Sequence, residues 1–482
     1  MGFGLIGGSA SRQPDLMHRL RLTEGAVIGG FVVGPRLHRG GMALIHAVTH
    51  PDHPGPLVMK VPALFEGEDP AAIVSFEMEQ MILPRLHGPH APRFIANGDF
   101  SAQPFIVMER IPAGSLLPRL AHLPMAAEEL APLGALVATA LEAIHRQHVV
   151  HLDVKPSNIL LRESGEAVLI DYGLSHHDQL PDLMEEEFRL PYGTAPYMAP
   201  EQVMGIRSEP RSDLFALGAL LYFFATGTRP FGDPQKLSGL KRRIWRDPPP
   251  PRALNPDVPK ALQETILRCL EVDPERRHPS AAQLAFDLRN PDQVVLTPRA
   301  EKLEADGWRA TLRRRFNPEA RPVFRRRLDE GAPPPAPILA VALDLAEAPD
   351  PLLDDALRVT LRGLLAIHAG ARIACLHVLR QNRLAPDTSL NPEGQNKHVN
   401  RLVALRTWAA PLGLPEGRVT FHVLEAIDAA AALTEYAKAN GIDHLVLGAR
   451  PVSIKRRLLG SVSAEVAMLA PCTVTVVRPY AG

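Results

Sequence analysis

The sequence predicts two successive domains of different fold class: an α+β domain over residues 25–292 and an α/β domain with a parallel sheet over 336–482. Three observations carry this reading. The first region passes through short apolar strands and then almost wholly through segments with helical spacing of apolar residues. The second alternates apolar strands with helices, the pattern of a parallel sheet covered on both faces. Between them stands Gly331-Ala-Pro-Pro-Pro-Ala-Pro337, a stiff segment that follows arginine runs at Arg313–Arg315 and Arg325–Arg327. Such a segment suits a domain boundary, so 293–335 is read as a linker.

In order, residues 1–24 form a tail, and Phe31–Val33, Leu44–Val48 and Leu57–Lys60 are strand-like. Phe76–Leu86 and Leu130–Arg146 carry the helical spacing. The second domain reads as strand Ile338–Leu343, helix Leu352–Ala369 and strand Ala371–Leu379, then an irregular stretch. Strand Val419–Leu424, helix Ala429–Ala439, strand His444–Leu447, helix Ser461–Leu469 and strand Thr473–Val477 follow.

Bulk properties exclude several classes. The chain has 482 residues, 46% hydrophobic and 22% charged, with formal net charge zero, so no global field points to nucleic acid or a membrane surface as partner. Cys269, Cys375 and Cys472 are far apart, which argues against a zinc site or a disulfide framework and fits a reducing cytoplasm. Met1–Ile6 lacks the basic and apolar regions of a secretory signal, and Ile6 stands where a myristoylation signal needs Ser or Thr. The longest apolar stretch, Leu214–Gly227, is shorter than the ~20 residues a spanning helix needs and reads as a buried core helix.

Phosphoryl transfer asks a protein for a cation on the phosphates, oxygen ligands for Mg²⁺ and a carboxylate that orients the acceptor hydroxyl. His151-Leu-Asp153-Val-Lys155-Pro-Ser-Asn158 and Asp171-Tyr-Gly173 supply these groups, and Leu57-Val-Met-Lys60 with Glu79 supplies a cation and its partner. Gly193-Thr194 to Ala199-Pro-Glu201, Asp213–Gly218 and Asp273–Arg277 follow in the same order along the chain. These motifs, in one order with workable gaps, resemble the eukaryotic-like serine/threonine protein kinases of bacteria, over roughly residues 28–290.

The resemblance implies a bilobal kinase fold with a small lobe over 25–110 and a large lobe over 111–292. It implies ATP as substrate with Mg²⁺ (or Mn²⁺) as cofactor, and proteins bearing Ser or Thr as acceptors. Asp153 would orient the acceptor, Lys155 would reach the γ-phosphate, Lys60 paired with Glu79 would hold the phosphates, and Asn158 and Asp171 would bind the metal. Leu37, Gly40, Gly41, Ile45, Val58, Lys60, Met108, Glu109, Ile111 and Leu160 would line the ATP site, with Phe105–Ile111 as hinge. Arg277 would be the buried partner of Glu201. Lys155 and Thr194 imply Ser/Thr rather than Tyr preference.

Three departures from the family pattern matter. His38 and Ala43 stand at the outer glycine positions of Leu37–Ile45, where glycine lets backbone amides approach phosphate. Leu152 replaces the arginine that would bind an activation-loop phosphate, and 176–191 contains no Ser, Thr or Tyr but carries Glu185-Glu-Glu187. Tyr172 replaces phenylalanine. The expectation is a non-RD kinase that works without phosphorylation of that loop; the alternative is a pseudokinase scaffold that binds nucleotide without transfer. A third reading has the C-terminal domain inhibiting the first, with the arginine-rich linker against Glu185–Glu187. His176-His177, adjacent and thus projecting to opposite faces of a strand, are read as loop surface rather than a metal site.

Residues 337–478 resemble the universal stress protein family. Asp344 ends the first strand where nucleotide-binding members meet adenine, and Gly448-Ala-Arg-Pro451 with Gly460-Ser461-Val-Ser463 resembles their phosphate loop. Pro451 replaces the second glycine and the spacing is one residue short. The resemblance implies a possible second nucleotide site at Asp344, Gly448, Gly460, Ser461 and Ser463. It also implies self-association through Thr473–Val477.

Overall fold

The computed structural model describes residues 22–40, 43–62, 70–188, 191–316, 337–345, 350–368, 370–381, 390–391, 395–415, 417–449 and 461–479. An antiparallel sheet begins the chain in the order Val27–Ile28, Phe31–Arg39, Ala43–His50, His53–Pro62, Phe105–Glu109, Phe94–Gly98. Alternation sorts its faces. Phe31, Val33, Val48, Leu57, Met59, Val61, Phe105 and Val107 form one apolar cluster. The register pairs Ile45 with Lys60, Lys60 with Ile106 and Val58 with Met108, so these residues share the other face.

The large lobe is built on helices Ala127–His145, Arg211–Thr226, Lys260–Cys269 and Ala281–Arg289. Small residues set their spacing: a Cβ on Gly218 would lie 2.4 Å from Cys269 Cβ, and one on Gly134 2.8 Å from Leu221 Cδ2. Residues 297–302 fold back on the Lys260–Cys269 helix, where Glu264 accepts from Thr297 and Arg299 and Gln263 donates to the Lys302 carbonyl. Arg325–Arg327 and the Pro333–Pro335 run lie outside the described residues.

The C-terminal domain has a five-stranded parallel sheet in the order Val419–Ala426, Arg372–Arg380, Ile338–Ala342, His444–Gly448, Thr473–Val477. Its flanking helices are Pro351–Ile367, Lys397–Ala409, Ala429–Ala439 and Ser461–Leu469.

Three local expectations change. The helix expected over Phe76–Leu86 runs from Ala71 to Ile82 and then tightens into a 3₁₀ turn, because Pro84 has no N–H for a further α-helical bond. His176 and His177 are not loop surface: they pair with Val150 and Val149 in a two-stranded ribbon, where His176 Nδ1 meets Asp182 Oδ2 at 2.9 Å and His177 is buried. The stretch read as irregular contains the Lys397–Ala409 helix, capped by the Asn396 side chain on Val399 N–H. Its apolar face of Val399, Leu402 and Leu405 had been obscured by arginines among them.

The two domains meet along the edge strand Val419–Ala426. The helix Leu183–Glu187 presents Glu186 and Glu187 to it. Arg372 Nη2 lies 2.7 Å from Glu186 Oε1, and His422 sits between both carboxylates, Nε2 3.0 Å from Glu186 Oε2 and Nδ1 2.9 Å from Glu187 Oε1. Tyr436 Oη and Asn440 Nδ2 add hydrogen bonds to Glu186. A continuous apolar cluster joins the kinase-like core to one face of the C-terminal sheet, including Leu339, Val341 and Cys375.

Burial disfavours the His422 imidazolium, but Glu186 and Glu187 outweigh that cost and hold its pKa up at about 9. Burial likewise opposes the Glu186 carboxylate, which His422 and Arg372 hold down at about 2. Because His422 is raised above its ordinary 6.5, its contribution is complete below pH 6.5 and fades as pH rises through about 9. Thermal unfolding of the full chain should therefore show a lower midpoint at pH 9 than at pH 6.5. His422→Gln should shrink that difference; equal pH dependence in both proteins would contradict the assignment.

Candidate active site

The Ala71–Ile82 helix and the strand bearing Lys60 bring the first group together. Lys60 Nζ donates to Glu79 and, at 2.7 Å, to Asp171 Oδ1. Burial alone would lower the lysine pKa; Asp171 and Glu79 outweigh it and keep the ammonium charged. In turn, the Lys60 charge holds the Asp171 carboxyl below the usual range. Asp171 adopts φ 70°, a left-handed conformation that costs about 1–3 kcal/mol in a non-glycine residue. Gly173 then passes so close to the helix that a Cβ would fall 2.1 Å from Ser75 Oγ and 2.8 Å from Ser75 O. Glycine is therefore required for Asp171 to face Lys60.

Asp153 lies in a buried loop between Val149–Val150 and the hairpin Ile159–Leu161/Ala167–Leu169. Its Oδ1 accepts from Thr194 N at 2.9 Å and Thr194 Oγ1 at 2.7 Å. Oδ2 accepts from Lys155 Nζ at 2.6 Å and Asn158 Nδ2 at 3.1 Å. Backbone strain is stored one residue earlier, where Leu152 has φ 64°. The buried Asp213 carboxylate compensates by accepting from His151 N and Leu152 N, both at 2.8 Å. In the sequence Asp213 stands only as the first residue of the Asp213–Gly218 motif. Its role as anchor of the loop depends on a contact across 62 residues, which local pattern does not reveal.

Asn158 donates its amide to Asp153 O and Oδ2, which leaves Oδ1 as acceptor, here receiving Ser157 Oγ at 3.1 Å. An amide oxygen beside a carboxylate is a hard oxygen donor set. That set suits Mg²⁺, which keeps several water and phosphate ligands, and Mn²⁺ shares the preference. The residues present thus fit the metal that the motifs implied.

Ile45, Val58, Lys60 and Met108 share one sheet face, and Leu160 bridges to Ser115 on the large-lobe side. The Phe31–Arg39/Ala43–His50 hairpin closes with Gly40 N donating to Ala43 O at 2.9 Å, and Leu37 is exposed near its tip. Gly41 lies outside the described residues. His38 pairs with Ile45 and shares its cleft-facing side. In the hinge, Glu109 N and Arg110 N donate to Arg93 O and Pro56 O, while the Glu109 side chain turns away to Arg162. Ile111 is buried just beyond.

The activation segment is tied down at both ends. Arg207 Nε reaches Asp182 Oδ2 at 2.7 Å, and Arg277 forms a two-pronged pair with Glu201 at 2.6 and 2.8 Å, both residues fully buried. Ser212 Oγ donates to Glu201, and the Arg277 guanidinium lies 5.0 Å from the Phe215 ring centroid. In the C-terminal domain, Asp344 and Gly448 sit at the carboxyl ends of adjacent parallel strands. Ser463 Oγ donates to Gly448 O at 3.1 Å, Ser461 is exposed at the start of its helix, and Gly460 lies outside the described residues.

A small antiparallel lobe over a helical lobe, with a lysine, two acids and an asparagine converging between them, defines the protein kinase class. Residues 32–286 match the protein kinase domain family and 337–478 match the universal stress protein family. The chain belongs to the protein kinase family and carries a C-terminal universal stress protein domain. It is 32% identical over 278 residues to serine/threonine-protein kinase Pkn1 of Myxococcus xanthus, covering 56% of this chain and 39% of that protein. It is 28% identical over 276 residues to PknH of Mycobacterium bovis, covering 56% and 46%. The matched segment thus spans less than half of either relative. The solved kinase domain of Mycobacterium tuberculosis PknI is 24% identical with a TM-score of 0.44, covering 56% of this chain and all of that one. Among the described residues, no helix is long and apolar enough to cross a membrane.

Arg277→Ala would leave the Glu201 carboxylate buried without its cation, a loss of about 3–5 kcal/mol for a broken buried pair. Denaturant unfolding should show the large lobe destabilised by that order. A change under ~1 kcal/mol, the range of an exposed pair, would contradict the burial argument.

Proposed function

We propose that this chain is a serine/threonine protein kinase that moves the γ-phosphoryl group of ATP to Ser or Thr hydroxyls of proteins. The observation that carries the reading is the meeting of two hydrogen-bonded groups, Lys60, Glu79 and Asp171 with Asp153, Lys155, Asn158 and Thr194, joined where Ile170 N donates to Asn158 O at 3.0 Å. The acceptor oxygen forms a bond to the γ-phosphorus, the bond from phosphorus to the β,γ-bridging oxygen breaks, and ADP leaves. Asp153 orients the hydroxyl and takes its proton. Lys155, 2.6 Å from Asp153 Oδ2, is placed to neutralise charge on the transferred group. Lys60, held by Glu79, exchanges its Asp171 contact for the α/β-phosphates. Asn158 and Asp171 would hold the metal, which supplies charge neutralisation on the phosphates when bound. With Glu109 N and Arg110 N already engaged, Ile111 N–H and the neighbouring carbonyls are left to meet the adenine edge. Thr194 Oγ1 on Asp153 demonstrates a β-hydroxyl at that carboxylate, in keeping with Ser/Thr preference.

Leu152 is 3% exposed and offers no cation to an activation-loop phosphate, which supports action without such phosphorylation. The second reading, a pseudokinase scaffold, is favoured by one observation: the His38 side chain stands on the cleft side of the phosphate-binding hairpin. For the C-terminal domain, the strand order reverses between Ile338–Ala342 and His444–Gly448, and the crevice at such a switch point is where open α/β sheets take ligands. Asp344 and Gly448 flank it, which supports nucleotide binding there. Thr473–Val477 is an edge strand with no strand on its outer side among the described residues, which supports self-association with a second copy. Neither membrane nor nucleic acid enters the proposal, and the setting that fits is the cytoplasm.

Full-length protein with labelled ATP, Mg²⁺ and a generic basic protein substrate should transfer phosphate, and Asp153→Asn should cut the rate about 10²–10⁴-fold. ATP binding without transfer by the unaltered chain would favour the scaffold. Prior phosphatase treatment should leave the rate unchanged; a large loss that is restored by phosphate on Ser175, Tyr192 or Thr194, the hydroxyls that flank 176–191, would refute independence from the loop.

A further inference from the structure

The Ala71–Ile82 helix is buried along an unbroken run from Ala71 to Glu79. A helix on the rim of a small lobe has one face for the sheet and one for solvent; here something covers the outward face as well. Glu79 and Glu77 are two positions apart, about 200° around the helix, so they point to opposite sides. Glu79 meets Lys60, and Glu77 meets Arg406 of the C-terminal domain. Arg406 is aimed by its own surroundings, with its guanidinium 5.0 Å from the Phe421 ring centroid. His422, next along that edge strand, fills the gap between Glu186 and Glu187, and Arg372 adds a second cation on Glu186. One edge of the C-terminal domain, with Phe421 and His422 turned to opposite faces of its sheet, therefore holds both the Glu79 helix and the activation segment.

We infer that the C-terminal domain is an activating clamp in cis, with Arg406, Arg372 and His422 as positioning residues that hold Glu79 against Lys60 and order the activation segment. The inference rests on the kinase reading. It assigns to the stress-protein domain the cations that Leu152 cannot supply to the segment, meeting fixed carboxylates in place of a phosphate. Arg207 anchors the start of the same helix through Asp182 from the large lobe, so only its far end depends on the clamp. The groups facing His422 are Glu186 and Glu187 on the segment, Thr420 on its own strand and Tyr436 on the Ala429–Ala439 helix, with Arg372 across Glu186. The sign of the effect follows from the cleft: with the clamp engaged, Lys60, Glu79 and Asp171 are joined and Asp153 is bound to Thr194. Any ligand of the C-terminal domain that shifts the Val419–Ala426 edge would then be read out as kinase rate.

The test compares full-length wild type with Arg406→Gln, Arg406→Lys and the double variant Arg372→Ala/Arg406→Gln. Readouts are phosphoryl transfer to a generic substrate and amide hydrogen exchange over 71–82, 183–187 and, as control, the core helix 211–226. The expected result is a tenfold or larger fall in kcat for Arg406→Gln, partial retention by Arg406→Lys, and faster exchange in 71–82 with the control helix unchanged. In the double variant, exchange should rise in 183–187 as well. A rise in kcat would overturn the inference in favour of an inhibitory contact, and unchanged exchange in 71–82 would overturn it outright. If wild type transfers no phosphate, the kinase reading fails by itself, while exchange in 71–82 still decides whether the clamp exists. Should the double variant unfold, the two single variants at Arg406 decide the question.

Discussion

The ion pairs of Lys60 with Glu79 and Asp171 tie together elements that the chain contributes from three distant places. The lysine sits on the sheet, Glu79 on the helix and Asp171 at the head of the activation segment. A lysine ammonium buried without counter-charge would lose its proton, so the three groups are viable only together. That requirement sets the angle of the helix, the left-handed turn at Asp171 and the glycine two residues on, whose missing side chain leaves room for Ser75.

A second constraint acts on the catalytic loop. Leu152 and Asp171 both occupy left-handed backbone conformations, and each is held by a charged group rather than by its own propensity. Asp213 does this for Leu152 through two backbone amides, while the Glu201–Arg277 pair fixes the floor on which Asp213 and its helix stand. Strain is thus concentrated around Asp153 and Asp171, and the buried polar network of the large lobe offsets it.

The C-terminal domain extends this logic outward. Its edge strand ends in solvent on neither face toward the kinase: Thr420, Phe421 and His422 each take part in contacts that end on the helix or the activation segment. Edge strands are a liability unless covered, and here the covering surface is the Glu79 helix and the activation segment. A protein with a zero net charge can still place complementary charge where two domains meet, acids on one side and Arg372, Arg406 and His422 on the other.

Much of the first domain was readable from local pattern. Alternation placed the Lys60 strand, and the motif order from Lys60 to Arg277 pointed to the cleft through its resemblance to the kinase family, whose chemistry draws on few residue types. The C-terminal strands were legible for the same reason, their apolar runs being buried on both faces. The Lys397–Ala409 helix escaped because Arg401 and Arg406 interrupt its apolar stripe, and these arginines make sense only once their partners are present: Leu345 O for one, Glu77 for the other. Sequence by itself determined the chemical groups, their order and the two fold classes, since these follow from residue type and periodicity. Tertiary structure alone decided that Asp213 carries the catalytic loop and that Glu186, Glu187 and Glu77 face the second domain, because a charge declares its partner only when distant chain segments are brought within a few ångströms.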